Sequence, residues 1–224
     1  AFQQSAYVRS VVIPESIREI GDWAFSNIPT LTSVRIADGA KKIGANAFTG
    51  SHNLWDLVIP ASVDEIGLKA FDGCPNLTIQ TTPGTVAWTQ AEQAEIPHTD
   101  PFAAIPDFQI ETQDGEYVLT GYIGAGYDVT LVSDVVGLKV TKVGAAAFES
   151  GAVQVVRIPE GYTTIESQAF ASMLYPMTIV LPESITEIAE DAFENTDVTF
   201  MAKTGTAAEA YAREHELKFQ VLYW

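Results

Sequence analysis

The chain has 224 residues, 47% of them apolar, and carries 29 acidic against 12 basic side chains for a formal net charge of −17. That length and apolar content supply a real core and exclude wholesale disorder. The negative charge opposes nucleic-acid binding and docking on anionic membranes, and no run of about 18 apolar residues is present to span a bilayer. The chain opens at Ala1 with no signal peptide, which fits a processed or trimmed form.

In chain order, Val8, Val11 and Ile13 have the spacing of a short strand with three inward side chains. Pro14 cannot donate to a ladder, so it ends the pairing. Ile20-Gly21 and then Ala24-Phe25 follow. The same set returns at Leu31, Val34 and Ile36 with Ile43-Gly44 and Ala47-Phe48. It returns again at Leu54, Leu57 and Ile59 with Ile66-Gly67 and Ala70-Phe71, each Ala-Phe pair lying 23 residues after the last. One such unit cannot bury its apolar face alone. Stacked units can, with strands about 4.8 Å apart in one parallel sheet. Alanine fits where a helical turn presses on the strand, and phenylalanine fills the gap between layers, so the phenylalanines are expected to form a continuous buried spine.

The repeat is then interrupted. Gly84-Thr85-Val86-Ala87 opens a short helix running through Trp88 and Ala91 to Ile96, with Thr85 as its N-cap. Residues 98–107 are proline-rich and aperiodic and read as a linker. Phe108–Glu111 and Tyr117–Thr120 flank Asp114-Gly115, a hairpin signal. The repeat resumes with Val129 and Leu131, then Val153, Val156 and Ile158, with Ala-Phe pairs at Ala147-Phe148, Ala169-Phe170 and Ala192-Phe193. Gly205-Thr206-Ala207-Ala208 opens a second helix through Tyr211 to Leu217, capped by Thr206.

The segment Pro14-Glu15-Ser16-Ile17-Arg18-Glu19-Ile20-Gly21-Asp22-Trp23-Ala24-Phe25 resembles the BspA-like leucine-rich repeats of bacterial and some protist surface proteins. The period lies within the leucine-rich-repeat range. Departures are local: Ala37 and Val132 replace the proline, and Glu166 and Ala189 replace the glycine. The resemblance implies an α/β leucine-rich-repeat solenoid, with a parallel sheet on one face and short helical turns opposite. In that family a Gly-Thr helix closes a solenoid, so two such helices imply two blocks. The expected division is a first block over 1–97 ending in its cap helix, a linker over 98–107, and a second block over 108–224 with the hairpin and second helix as caps. Block one has no cap before its first strand, so native sequence is expected upstream.

Chemistry-bearing patterns are thin. His52, His98 and His215 have no second ligand at metal spacing. His215-Glu216 begins like a zinc-protease motif, but Phe219 stands where the second histidine belongs. Gly124-Ala125-Gly126 lacks the third glycine of a dinucleotide loop, since Val129 occupies that place. Cys74 sits in an apolar pattern and reads as a buried small hydrophobe. Asn76-Leu77-Thr78 is a glycosylation sequon, but Asn76 precedes an inward leucine and reads as structural. Glu183, Glu187, Glu190 and Asp191 form a solvated ridge without a calcium-loop signature. No catalytic residues, cofactor or metal is expected.

A solenoid leaves the outward side chains of its sheet free of packing duty. In block one the candidate partner-binding surface is Arg9, Arg35, Trp55, Asp56 and Val58. Block one is also the less acidic half, with 6 basic and 12 acidic residues over 1–107 against 6 and 17 over 108–224. The family resemblance implies a secreted or cell-surface protein that binds a protein or extracellular-matrix ligand, without nucleic acid and without membrane insertion. The competing expectation is a structural spacer that holds another domain away from the cell surface.

Overall fold

The computed structural model describes residues 2, 4, 5 and 7–223. The chain divides into two compact units. The first comprises Ala1–Ala104 with Thr112–Glu116 and Val135–Leu138, and the second comprises Ile105–Glu111, Tyr117–Asp134 and Lys139–Trp224.

In the first unit, strands Ser10–Ile13, Ser33–Ile36, Asp56–Val58, Thr78–Gln80 and His98–Thr99 form one sheet in that order. Every pair is parallel and in repeat register: Val11 lies beside Val34, Val34 beside Leu57, and Leu57 beside Ile79. The residues expected to point inward do so, with Leu31, Val34, Ile36, Leu54, Leu57 and Ile59 all buried. His98–Thr99, expected at the start of the linker, pair with Thr78–Gln80, and Phe102 is buried just beyond them.

Opposite this sheet the chain makes a second, three-stranded ladder from Glu19–Ile20, Lys42–Ile43 and Glu65–Ile66. The Ala-Phe arcs that follow are successive tight turns, not the helical turns expected from the sequence. Ala24 N–H bonds the Gly21 carbonyl at 3.2 Å, and Trp23 takes a φ of +60°. The arcs also bond one another from coil to coil. Trp23, Phe25 and Asn27 donate to the carbonyls of Ala45, Ala47 and Thr49 at 2.7–3.1 Å, and Asn46, Phe48 and Gly50 donate to Leu68, Ala70 and Asp72 at 2.8–3.0 Å. A helix would turn those N–H groups along its own axis. The tight turns leave them free to satisfy the next coil.

The spine is continuous. Phe25, Phe48 and Phe71 are buried and stacked, with ring centroids 5.5 and 6.1 Å apart. Phe2 extends it by one ring at 5.5 Å. Below the spine runs a second column that sequence patterning did not reveal. Three residues after Phe48, Phe71 and Phe193, a small donor reaches back to the preceding phenylalanine carbonyl: Ser51 to Phe25 at 2.8 Å, Cys74 to Phe48 at 3.2 Å and Thr196 to Phe170 at 2.7 Å. Cys74 is buried as expected, and burial pushes its thiol up to about 11, which keeps the S–H available as a donor. Cys74→Ser should therefore leave stability nearly unchanged in a urea melt. Cys74→Val orphans the Phe48 carbonyl and should cost about 1–3 kcal/mol. Equal melting of the two variants would show that the bond is unimportant.

The first cap helix, α1 (Val86–Gln93), starts where expected: Thr85 accepts from the Trp88 N–H at 3.1 Å. Ala87 and Ala91 are its buried face.

In the second unit, Asp128–Thr130, Val155–Arg157, Met177–Val180, Val198–Ala202 and Lys218–Val221 form a parallel sheet. A further ladder joins Glu187–Ile188, Thr164–Ile165, Leu138–Val143, Glu116–Tyr122 and Phe108–Gln113. Asp114 and Gly115, which belong to the first unit, take φ of +52° and +80° and make the two-residue turn expected of Asp-Gly. The spine recurs as Tyr122, Phe148, Phe170 and Phe193, with centroids 5.5, 4.9 and 5.2 Å apart. The second cap helix, α2 (Ala207–Glu214), has Thr206 as N-cap and buries Ala208, Tyr211 and Ala212.

Candidate functional site

The five candidate residues do not share one environment. Arg9, Thr32 and Trp55 form a row just before the strands, because the Thr32 N–H bonds the Arg9 carbonyl at 2.7 Å and the Trp55 N–H bonds the Thr32 carbonyl at 3.1 Å. Trp55 remains 56% exposed even though Thr32 neighbours it. Arg9, Thr30, Thr32, Asn53, Trp55 and Asn76 line a groove of about 480 Å³.

The asparagines were not singled out for this surface from the sequence. Each is locked to the preceding coil: Asn53 Nδ2 donates to the Pro29 carbonyl at 2.6 Å, and Asn76 Nδ2 to the His52 carbonyl at 3.2 Å. Their 23-residue spacing was the available signal, and it matches the structural role expected of Asn76. The side-chain amides therefore wall the groove without strain, beside a half-exposed indole and a cation.

Asp56 and Val58 lie differently from expectation. The strand pattern directs both outward, yet Asp56 is 7% exposed and Val58 is fully buried. Asp56 accepts a bond from Gln80 Nε2 at 2.5 Å. Arg35, the register partner of Val58, donates from Nη1 to the Val136 carbonyl at 3.0 Å. Val135–Leu138 belongs to the same compact unit, so this end of the sheet face is occupied by the unit's own chain. Alternation along a strand assigns a residue to a face but says nothing of what covers that face.

No group of three or more His, Cys, Asp and Glu arranged to hold a metal occurs among the described residues. His52 Nδ1 lies 2.7 Å from the Gly73 carbonyl, His98 Nδ1 lies 2.9 Å from the Ile96 carbonyl, and His215 stacks on Tyr211. In the acidic ridge, Glu183 accepts from Lys203 at 2.5 Å and Asp191 accepts from Ser167 at 2.7 Å. The carboxylate beside Lys203 raises that lysine's pKa by hydrogen bonding and then by charge. Among the described residues, no helix is long and apolar enough to cross a membrane.

The description of the BspA type leucine rich repeat region matches the chain in six copies, over residues 1–92 and 131–208. The chain belongs to that family, and families of this type are generally non-enzymatic binding modules. Solved structures similar to it include a leucine rich cell surface protein from Faecalibacterium prausnitzii, at 22% identity and a TM-score of 0.36 over 100% of this chain and 62% of that one. A leucine-rich repeat protein from Bacteroides ovatus matches at 20% identity and a TM-score of 0.33, over 99% of this chain and 63% of that one. The T. pallidum leucine rich repeat protein matches at 20% identity and a TM-score of 0.31, over 94% and 85%. The chain thus spans less than two thirds of the length of the first of these relatives. A search of curated proteins found no match.

Proposed function

We propose that this protein is a non-enzymatic binding module that acts at a cell surface or after secretion and engages a protein or extracellular-matrix ligand through the Arg9–Trp55 groove of the first unit. The observation that carries the reading is Trp55: 56% exposed, beside Arg9, in a groove walled by immobilised asparagine and threonine side chains. An exposed tryptophan is costly to leave in water, and tryptophan and arginine are enriched at binding hot spots. Arg9 supports an acidic or carbonyl-rich epitope on the partner. Asp56 and Val58 are left out of the contact surface because they are buried, and Arg35 is a supporting residue held by Val136.

The test is capture of immobilised extracellular-matrix and mucosal proteins by the full chain, followed by the Arg9→Ala, Trp55→Ala double variant. Both side chains are exposed, so the variant should keep its melting temperature. Its affinity should fall by about 2 kcal/mol or more, the scale of a hot-spot pair. Undiminished capture by the double variant would remove the groove from the interface. A chain that captures none of these proteins would favour the spacer role.

A further inference from the structure

The groove of the first unit gathers polar groups that the fold itself leaves unused. Four of the five arginines have partners: Arg18 and Arg35 donate to the Gly39 and Val136 carbonyls, Arg157 pairs with Asp128 and Arg213 with Glu209. Arg9 is exposed and has no hydrogen bond or ion pair among the described residues. Among those residues no carboxylate lines the groove beside it, although the chain carries 29 acidic side chains. The Trp55 indole N–H likewise has no acceptor among them. Asn53 and Asn76 each commit one amide hydrogen to the preceding coil, on the Pro29 and His52 carbonyls. Each keeps a second amide hydrogen and its Oδ1 without a partner among the described residues.

We propose that this groove receives a β-linked hexuronate ring of a matrix or mucosal glycan, an inference that rests on the Arg9–Trp55 reading and names its ligand class. A sugar hydroxyl both donates and accepts. Vicinal hydroxyls therefore match side-chain amides that each offer one donor and one acceptor side by side. The half-exposed indole supplies the flat apolar surface that the C–H face of an all-equatorial pyranose covers. The carboxylate follows from Arg9, because a guanidinium holds a carboxylate by two parallel hydrogen bonds. Arg9, Thr32 and Trp55 follow one another across successive coils, so the cation's backbone stands about 10 Å to one side of the indole's. A hexuronate carries its carboxylate in the ring plane, at the edge of a ring laid on Trp55 and toward that side.

Size and charge favour a sugar over a peptide. A groove of about 480 Å³ falls within the range of small-ligand sites, about 300–1,000 Å³. Its apolar lining is confined to Pro29 and Trp55, whereas a protein interface is built around a broader hydrophobic centre. The net charge of −17 repels a densely sulfated polyanion at long range. One free cation suits one carboxylate, set among neutral sugars or at a chain end. Tyr127 and Gln154, which precede the first two strands of the second unit's sheet, put no cation in the matching row, so one site per chain is expected.

The probes are methyl β-D-glucuronide and methyl β-D-glucoside, which differ only in the carboxylate, titrated into the full chain and followed by NMR. The glucuronide should saturate with a Kd of about 1 mM and shift the Trp55 indole N–H resonance. The glucoside should bind about tenfold more weakly, the scale of one charge-assisted hydrogen bond. Arg9→Gln should abolish that preference and leave glucoside binding unchanged. Trp55→Ala should abolish binding of both sugars, and Trp55→Phe should restore part of it. No saturation by glucuronide at about 20 mM would overturn the proposal. So would equal binding of the two sugars by the parent chain, or a preference that survives Arg9→Gln. Mild periodate, which cleaves vicinal diols and spares the peptide chain, separates this inference from the reading beneath it. Treating the captured matrix or mucosal protein with periodate should end its capture. Capture that survives periodate but is lost in the Arg9→Ala, Trp55→Ala variant would assign the groove to a protein epitope, keeping the groove and overturning the sugar.

Discussion

Truncating Phe48 to alanine should destabilise the first unit by about 3–5 kcal/mol, the scale of large-to-small changes at fully packed aromatic positions. Phe48 is fully buried, with Phe25 stacked on one side at 5.5 Å and Phe71 on the other at 6.1 Å. Collapse into the void is opposed by the rungs on either side of it: Phe25 N–H bonds the Ala47 carbonyl at 2.7 Å, and Phe48 N–H bonds the carbonyl of Ala70, next to Phe71, at 2.8 Å. The change therefore removes two ring contacts and leaves a cavity between coils. Three of the four tryptophans, Trp23, Trp55 and Trp88, lie in the first unit, so tryptophan fluorescence in urea follows that unit's transition. Phe48→Leu should fall between alanine and the parent. A loss below about 1 kcal/mol for the alanine variant would mean that the spine is not a principal source of stability.

Gly67→Ala should cost roughly 2–3 kcal/mol, while Gly21→Ala should change stability by no more than about 0.5 kcal/mol. The two glycines occupy the same repeat position, after Ile66 and Ile20. A Cβ on Gly67 would stand 2.4 Å from the Ala45 nitrogen and 2.6 Å from the Gly44 carbonyl carbon, and both are backbone atoms of the preceding coil. A Cβ on Gly21 meets nothing within 4 Å. The glycine is thus required by the approach of one coil to another, not by its own φ. The comparison is made by the same urea transition. Equal effects at the two positions would refute the close-approach reading and point to a local backbone requirement common to all coils.

The 23-residue spacing of Ala-Phe placed Phe25, Phe48 and Phe71 in one buried stack. A stack is a periodic object, so its period is written in the chain. Thr85 and Thr206 were legible as helix caps because capping is a local bond, between a side chain and an N–H three residues on. Cys74 was legible as buried but not as a donor, because Ser51, Cys74 and Thr196 share a bond and not a side-chain type.

The sequence by itself determined the repeat length, the family, the inward register of each strand, the aromatic spine and the two capping helices. All of these follow from apolar periodicity and from contacts within a few residues or one coil. Only the tertiary structure decided that Asp56 and Val58 are buried, that Arg35 is held by Val136, and that the turns carry coil-to-coil rungs. Those outcomes depend on which distant segment covers a face and which donors find a next coil. The Arg35–Val136 bond spans 101 residues of chain, and no local pattern encodes a contact of that separation.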